Sequence, residues 1–234
     1  MLRYILLISY VVILIIPTDN LQAYTEERKK YERTGDVIWE GYTNEKVVAI
    51  TFDDGPNTIY TPLILDTLNK FEAKATFFVV GSQAKKHPQI IQRQFLEGHE
   101  IGNHTFSHDL SMKSLKAELD KTAKIISEIT GNSPTLFRPV GGKYNRKIVN
   151  ISKREGYTLA LWSWDQDTGD WRQPGVDKIV NHVITNISPG DIILFHDSGG
   201  NRRQTVEALS KILDFLKKNN YQCITVSEMI ERTS

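Results

Sequence analysis

Seven apolar stretches of strand length recur along the chain: KVVAITFD, KATFFVV, HEIGNH, TLFRPV, YTLALWSW, DIILFHD and YQCITV. Between most of them the apolar residues fall three and four apart, as in Thr61 to Phe71, Pro88 to Leu96, Leu115 to Ile129, Arg146 to Arg154, Val176 to Ile187 and Thr205 to Lys217. That spacing gives a helix one apolar stripe, whereas a short uninterrupted apolar run suits a strand buried on both faces. Strand and helix in alternation predict a parallel sheet with helices outside it, an α/β fold. Seven strands in one domain predict a barrel or a distorted barrel.

In such barrels the loops at the C-terminal ends of the strands carry the chemistry. Polar residues of catalytic type do collect where the apolar runs stop. Asp53 and Asp54 follow the first run, and His104 and His108 the third. Arg138 lies within the fourth, Asp167 and Asp170 follow the fifth, and His196 closes the sixth. The first case is the most informative, because VVAITFDDGPNT runs into two adjacent carboxylates just before Gly55-Pro56 ends the strand. Taken alone, DDGP reads equally well as a turn. Unrelated turns would not place these residue types at the same end of successive strands, which weakens that reading.

His104 and His108 stand four residues apart in HTFSH, a spacing that stacks two imidazoles on one side if the second sits in a helical turn. Two imidazoles, a carboxylate and a water make a metal site with an open position. One of Asp53 and Asp54 is the natural third ligand. The other, left unligated, can take a proton from water. The plainer alternative is a pair of surface or capping histidines.

TFDDGP, HTFSH, FRPVGG, DTGDW and LFH occur in this order over about residues 45 to 228. In that set the chain resembles the NodB-type polysaccharide deacetylases, carbohydrate esterase family 4. The resemblance implies a distorted seven-stranded (β/α) barrel, the NodB homology domain. It implies a hydrolase that removes N-acetyl groups from N-acetylglucosamine-type residues of a cell-envelope or extracellular polysaccharide, whether peptidoglycan, a chitin oligomer or poly-N-acetylglucosamine, and releases acetate. By the same resemblance Asp53 is the catalytic base, and Asp54, His104 and His108 hold a divalent metal. Zinc is the first expectation for that metal, and cobalt and nickel suit the donor set as well. Arg138 holds the base, His196 is the general acid and Asp170 orients it, while Leu194 lines the acetyl pocket and Trp171 forms one wall of the groove. The chain departs from the usual Arg-Pro-Pro-Tyr-Gly by carrying Arg138-Pro139-Val140-Gly141-Gly142. Gly141 keeps a backbone N–H for the oxyanion but lacks an aromatic wall, which implies a wider mouth. The rival readings are an O-acetyl esterase acting on a polysaccharide such as xylan, and a glycan-binding pseudoenzyme. Every catalytic station being filled argues against the second.

Composition narrows the setting. A chain of 234 residues holds one sizeable domain, and 29 Lys and Arg against 28 Asp and Glu leave a net charge of +1, which gives no electrostatic case for nucleic acid. A monomer acting on an oligosaccharide or polysaccharide is expected. Arg3, the apolar run Tyr4 to Ile16, then Pro17, Asp19 and Ala23 have the order of a secretory signal and are short for a membrane span. Residues 1–23 are therefore expected as a signal peptide or a retained N-terminal anchor and membrane tether, placing the protein outside the cytoplasm, secreted or at the envelope. Residues 24–44, with EERKKYER, read as a charged linker, or else a short amphipathic helix, and 45–234 as the deacetylase domain. The lone cysteine, Cys223, excludes an intramolecular disulfide and reads as a small buried thiol.

Overall fold

The computed structural model describes residues 27–233; the expected signal or anchor over 1–23 lies outside them. A helix, α1 (27–34), leads into strand β1 (Val37–Ile38). The alternating part follows as β2 (Val47–Asp53), α2 (Tyr60–Lys70), β3 (Ala75–Val79), α3 (Gly81–Lys86), α4 (Pro88–Leu96), β4 (Glu100–Asn103), α5 (Leu115–Thr130), β5 (Leu136–Phe137), α6 (Arg146–Arg154), β6 (Thr158–Ala160), α7 (Val176–Asn186), β7 (Ile192–His196), α8 (Arg203–Lys218), β8 (Gln222–Cys223) and α9 (Val226–Thr233). The named strands pair in parallel in the order β1-β6-β5-β4-β3-β2-β7, with β8 on the first residues of β2. The sheet curls into an incomplete barrel. Its open seam is stitched by backbone bonds: Gly41 N–H to Gly190 O at 2.8 Å, Ser163 N–H to Ile192 O at 3.0 Å and Leu194 N–H to Gln166 O at 2.9 Å.

Strand parity decides what faces the barrel interior. Along β2, Val48, Ile50 and Phe52 join the outer core with Phe77 and Phe195, the Phe52 ring lying 5.0 and 5.8 Å from those two. Val47 and Ala49 face the other way, in an inner cluster with Phe78, Leu136, Ala160 and Ile192. A period of two then puts Thr51 and Asp53 on that inner face. The same alternation in β7 sends Ile193 and Phe195 outward and Ile192, Leu194 and His196 inward. Gly102 on β4 makes room for the inner aromatic, since a Cβ there would stand 2.5 Å from the Phe78 ring.

The expected linker is part of the fold. Among the described residues of 24–44, α1 is helical and β1 pairs with β6, Val37 opposite Leu159 and Ile38 opposite Ala160. Tyr31, Val37 and Trp39 are buried, and Trp39 packs edge-on to Tyr144 at 5.5 Å with the Arg28 guanidinium over its indole at 5.1 Å. A two-residue strand is too short for periodicity to reveal, and the charges of EERKKYER mask one apolar stripe. The partly buried Cys223 sits on β8 as a free cysteine against the outer core. Trp39→Ala is expected to cost about 3 kcal/mol or more, the usual result for a buried Trp. Chemical unfolding checks it, because a linker residue would change stability by no more than about 0.5 kcal/mol.

Candidate active site

Asp53 is the last inward residue of β2, and Asp54 the first residue beyond it. Asp54 has φ of 77°, in the left-handed region, so the chain breaks from the strand there and the two carboxylates diverge. Asp53 Oδ1 takes a hydrogen bond from Arg138 Nη1 at 2.9 Å. Asp54 Oδ1 lies instead 3.0 Å from His108 Nε2 and 3.5 Å from His104 Nε2.

Arg138, at the end of β5, is wholly buried. Its Nη1 also donates to Thr51 Oγ1 at 2.7 Å, its Nε to Ala160 O at 2.8 Å and its Nη2 to Leu161 O at 2.7 Å, while Phe78 stacks on it at 4.0 Å. Burial pulls its pKa down and Asp53 opposes the fall. Its carbonyl accepts from His104 Nδ1 at 2.7 Å. A carbonyl only accepts, so this bond puts the proton of a neutral His104 on Nδ1 and leaves an Nε2 lone pair aimed at Asp54.

The two histidines do not share a helical turn as their spacing suggested. They come together through a loop in which Thr105 and His108 have φ of 67° and 60°. That costly backbone is caged by hydrogen bonds. Thr105 N–H donates to Asn103 Oδ1 at 3.0 Å and His108 N–H to Thr105 Oγ1 at 3.1 Å. Glu118 Oε2 on α5 accepts Phe106 N–H at 2.9 Å and Ser107 N–H at 2.6 Å. The imidazole centroids end 5.2 Å apart. One ligand atom from each of Asp54, His104 and His108 lies within 4.8 Å of the other two. A lone pair facing a carboxylate is repulsive unless a cation stands between them, so this donor set fits a divalent metal. Burial raises the Asp54 pKa, but His104 and His108, where either carries a proton toward it, outweigh burial and hold the carboxyl well below its ordinary range. The Asp54 bond in turn raises His108 against its burial.

His196 closes β7 in register with Asp53. Its Nδ1 is 2.8 Å from Asp170 Oδ1, and Asp170 Oδ2 accepts His196 N–H at 3.0 Å and Thr205 Oγ1 at 2.7 Å. Burial works against protonation of His196, but the bond to Asp170 and the charges of Asp170, Asp53 and Asp54 outweigh it and raise the pKa. Around this core runs a groove of about 390 Å³, lined by Leu110, Val140, Gly141, Trp162, Asp167, Trp171, Leu194, Gly199 and Arg202 besides the acids and imidazoles. Leu194 is buried in its floor, Trp171 is half-exposed at its edge, and Gly141 turns with φ of 63° in a short 3-10 turn, Val140–Gly142.

Leu110, Gly199 and Arg202 carry no mark of the site in the sequence, since nothing in their spacing brings them to a strand end. Trp162 has a weak signal, two residues beyond β6. Asp197 reads as a loop acid but is buried, with Oδ2 accepting Thr61 Oγ1 at 2.5 Å. Burial, with the charges of Asp54 and Asp53 adding to it, pushes it up to about 7.

Comparisons with known proteins identify the family. A family model, Polysaccharide deacetylase, matches residues 40–160. The chain belongs to the polysaccharide deacetylase family, the NodB-type carbohydrate esterase family 4, and is an enzyme of that hydrolase class. It is 48% identical over 206 residues to a peptidoglycan-N-acetylglucosamine deacetylase of Bacillus cereus, a match covering 87% of this chain and 97% of the relative. It is 36% identical to the peptidoglycan-N-acetylmuramic acid deacetylase PdaA of Bacillus subtilis, over 83% of this chain and 75% of that one. The crystal structure of the Bc1960 peptidoglycan N-acetylglucosamine deacetylase superposes with a TM-score of 0.81 at 35% identity, over 86% of this chain and 95% of that one. The half-barrel seen here is the family's distorted (β/α) barrel.

In the turn after the two acids a Cβ on Gly55 would collide with both Asp197 carboxylate oxygens. Gly55→Ala is expected to destabilise the protein by about 1–3 kcal/mol, the cost of overpacking, and to abolish acetate release by displacing Asp53 and Asp54. Thermal unfolding and an acetate assay check the two effects.

Proposed function

We propose that the protein is a metal-dependent N-deacetylase of cell-envelope glycan, acting outside the cytoplasm on N-acetylglucosamine-type residues of peptidoglycan. One observation carries this reading: Asp53 and Asp54, adjacent in sequence, have different partners, a guanidinium at 2.9 Å for the first and two imidazoles for the second. The pair thereby divides into a base and a ligand. Names of the relatives support peptidoglycan as the glycan. Export rests on the N-terminal run Tyr4 to Ile16. Among the described residues no helix is long and apolar enough to cross a membrane.

Asp54, His104 and His108 would hold a divalent cation, zinc by preference, which would supply Lewis-acid polarisation of the acetamide carbonyl and a lowered pKa for a water molecule. The remaining steps fall to the chain. Arg138 occupies Asp53 Oδ1, so Oδ2 is the atom that takes the proton of the attacking water. Gly141 N–H donates to the oxygen as it gains charge. Leu194 receives the acetyl methyl, and Trp171 walls the sugar. With Nδ1 engaged by Asp170, His196 presents Nε2 and protonates the departing nitrogen as the C–N bond breaks, leaving acetate and the free amine. A protonated, carboxylate-backed imidazole suits an amide, whose nitrogen leaves only as an amine, more than an ester.

Three outcomes are expected. Asp54→Asn loses bound metal, whereas Asp53→Asn keeps it and loses about 10²-fold or more in kcat, as metal analysis beside acetate release would show. His196→Ala costs about 10²-fold or more in kcat/KM on an N-acetylated oligosaccharide and clearly less on nitrophenyl acetate, which needs no leaving-group proton. Equal losses on both would sink the assignment of the acid. Asp170 raises the pKa of His196, so Asp170→Asn lowers it and shifts the alkaline limb of the kcat/KM profile to lower pH. An unmoved limb would remove Asp170 from that role.

A further inference from the structure

α6 turns a face of cations without acids to the solvent. The helix, RKIVNISKR, buries Ile148, Val149 and Ser152 and leaves Arg146, Lys147, Asn150, Lys153 and Arg154 exposed. Those positions share one side of a helix, so the four cations stand together over two turns. They and Asn150 border an open depression of about 740 Å³ that no acid lines. The acids nearby are engaged elsewhere. Glu155, next along the chain, pairs with Lys116, while on α1 Glu27 accepts from the Tyr31 hydroxyl at 3.3 Å and Glu32 from Arg28 Nε at 2.6 Å. Of the four cations only Lys153 has an ion pair among the described residues, with Asp36 at 2.9 Å.

Helix stability does not account for this face. Positive charge in the first turn opposes the helix dipole, yet Arg146 and Lys147 stand there behind the Asn145 cap, with no acid beside them. Overall basicity does not account for it either, since the net charge of the chain is +1.

The chain enters the fold on the same side. Tyr31 of α1 lies edge-on to Tyr144, just before α6, at 6.3 Å, and Asp36, between α1 and β1, is the partner of Lys153. The anchor expected over 1–23 ends just before α1 begins at residue 27, so the link between them spans at most about 15 Å. A charged surface is felt over a similar range, about 10 Å at ordinary salt. α6 leaves the groove after the Val140–Gly142 turn and ends where Lys153 meets Asp36, at the opposite end of the sheet from Asp53 and Asp54. A flat surface laid against it therefore lies along the flank of the barrel and leaves the groove open.

We propose that the exposed face of α6 is a docking surface for an anionic phospholipid bilayer, which holds the protein flank-on with its groove free for glycan. Phosphodiester headgroups supply the counter-charges that Arg146, Lys147 and Arg154 lack, and a guanidinium takes two phosphate oxygens at once. The cations extend over about 12 Å of helix, which suits an array of headgroups better than one small anion. Such a contact is the second signal that a short apolar segment needs for stable anchoring. It rests on no step of the proposed reaction.

The test mixes the full-length protein with vesicles of phosphatidylcholine alone, or of phosphatidylcholine with phosphatidylglycerol, and reads the bound fraction by sedimentation. Wild type is expected to prefer the anionic vesicles. It loses that preference between about 0.1 M and about 1 M salt, as the Debye length falls from about 10 to about 3 Å. Arg146→Gln, Lys147→Gln and Arg154→Gln combined in one chain cut the preference by roughly 100-fold, about fivefold for each cation. Lys85→Gln, Lys86→Gln and Lys178→Gln combined remove the same charge from exposed positions on α3 and α7 and leave the preference in place. Equal binding of wild type to both vesicles overturns the proposal, and so do equal losses in the two triple variants. Binding to soluble poly(glycerol phosphate) without a preference for anionic vesicles also overturns it, in favour of a wall-polymer site. The vesicle comparison uses wild type, so a misfolded variant does not blunt it. Acetate release is not read here, so this surface and the proposed function fail separately.

Discussion

The ion pair between Arg138 and Asp53 is the constraint around which the site is built. A guanidinium this deeply buried is tolerable only when its donors are satisfied, and two strands supply the acceptors: Thr51 and Asp53 from β2, and Ala160 and Leu161 at and just beyond the end of β6. Thr51 passes the restraint on by donating its hydroxyl to Ile193 O on β7 at 2.7 Å. The Arg138 carbonyl fixes the tautomer of His104. One side chain and its own backbone therefore hold the proposed base, orient a proposed metal ligand and tie both to the interior of the sheet. Removing the charge would leave Asp53 buried and unpaired, and removing the acid would do the same to Arg138.

Strain collects where the ligands are. Asp54, Thr105 and His108 all occupy the left-handed region, which costs non-glycine residues of order 1 kcal/mol or more each. The restoring force comes from residues with no part in the chemistry. Asn103 bonds both Leu119 O and the Tyr157 hydroxyl at 3.0 Å while its oxygen accepts from Thr105, so the loop is braced against α5 and the residue preceding β6. Glu118 repeats this from α5. A regular helix would have put His104 and His108 on one face with no strain. The loop instead lets His104 stay buried against Arg138 while His108 reaches out to the mouth.

Much of this architecture is legible in the amino-acid sequence. Runs such as VVAITFD and DIILFHD are buried on both faces, as parallel strands require, and each ends on a residue of the site. Five of the helical segments match to within a residue at each end, and two of them, Pro88–Leu96 and Arg146–Arg154, at both ends. What the pattern conceals is short or held by distant partners. β1 is two residues long, α3 is six, and α9 carries too many charges to read as core, although Val226 and Met229 are buried beneath it. The seven-strand count misses β1 for that reason. In the site, residues on a strand end announce themselves by chemistry and position. Arg202 and Trp162 enter the groove through the conformation of a glycine turn and the path of a loop, which leave no period in the sequence. The eventual partners of Asp53 and Asp54 are likewise beyond reach of spacing, because the divergence depends on one positive φ.

The register of β2 and β7 sets the geometry of proton transfer. Asp53 and His196 are partners across adjacent parallel strands and both point inward, so the proposed base and acid are separated by about one inter-strand spacing, near ~4.8 Å between backbones. A slip of one residue in either strand would turn its side chain out of the barrel. The outer stripe Ile50, Phe52, Ile193 and Phe195 prevents that slip by its own burial. The reaction thus depends on packing that never touches substrate, and it is insulated from changes at the rim. Leu110, Gly141 and Arg202 lie on loops beyond the strands, free of that register. Side chains at these positions can change which sugar enters while the Gly141 N–H keeps its place, and it is at Val140 and Gly141 that this chain departs from the usual Arg-Pro-Pro-Tyr-Gly pattern.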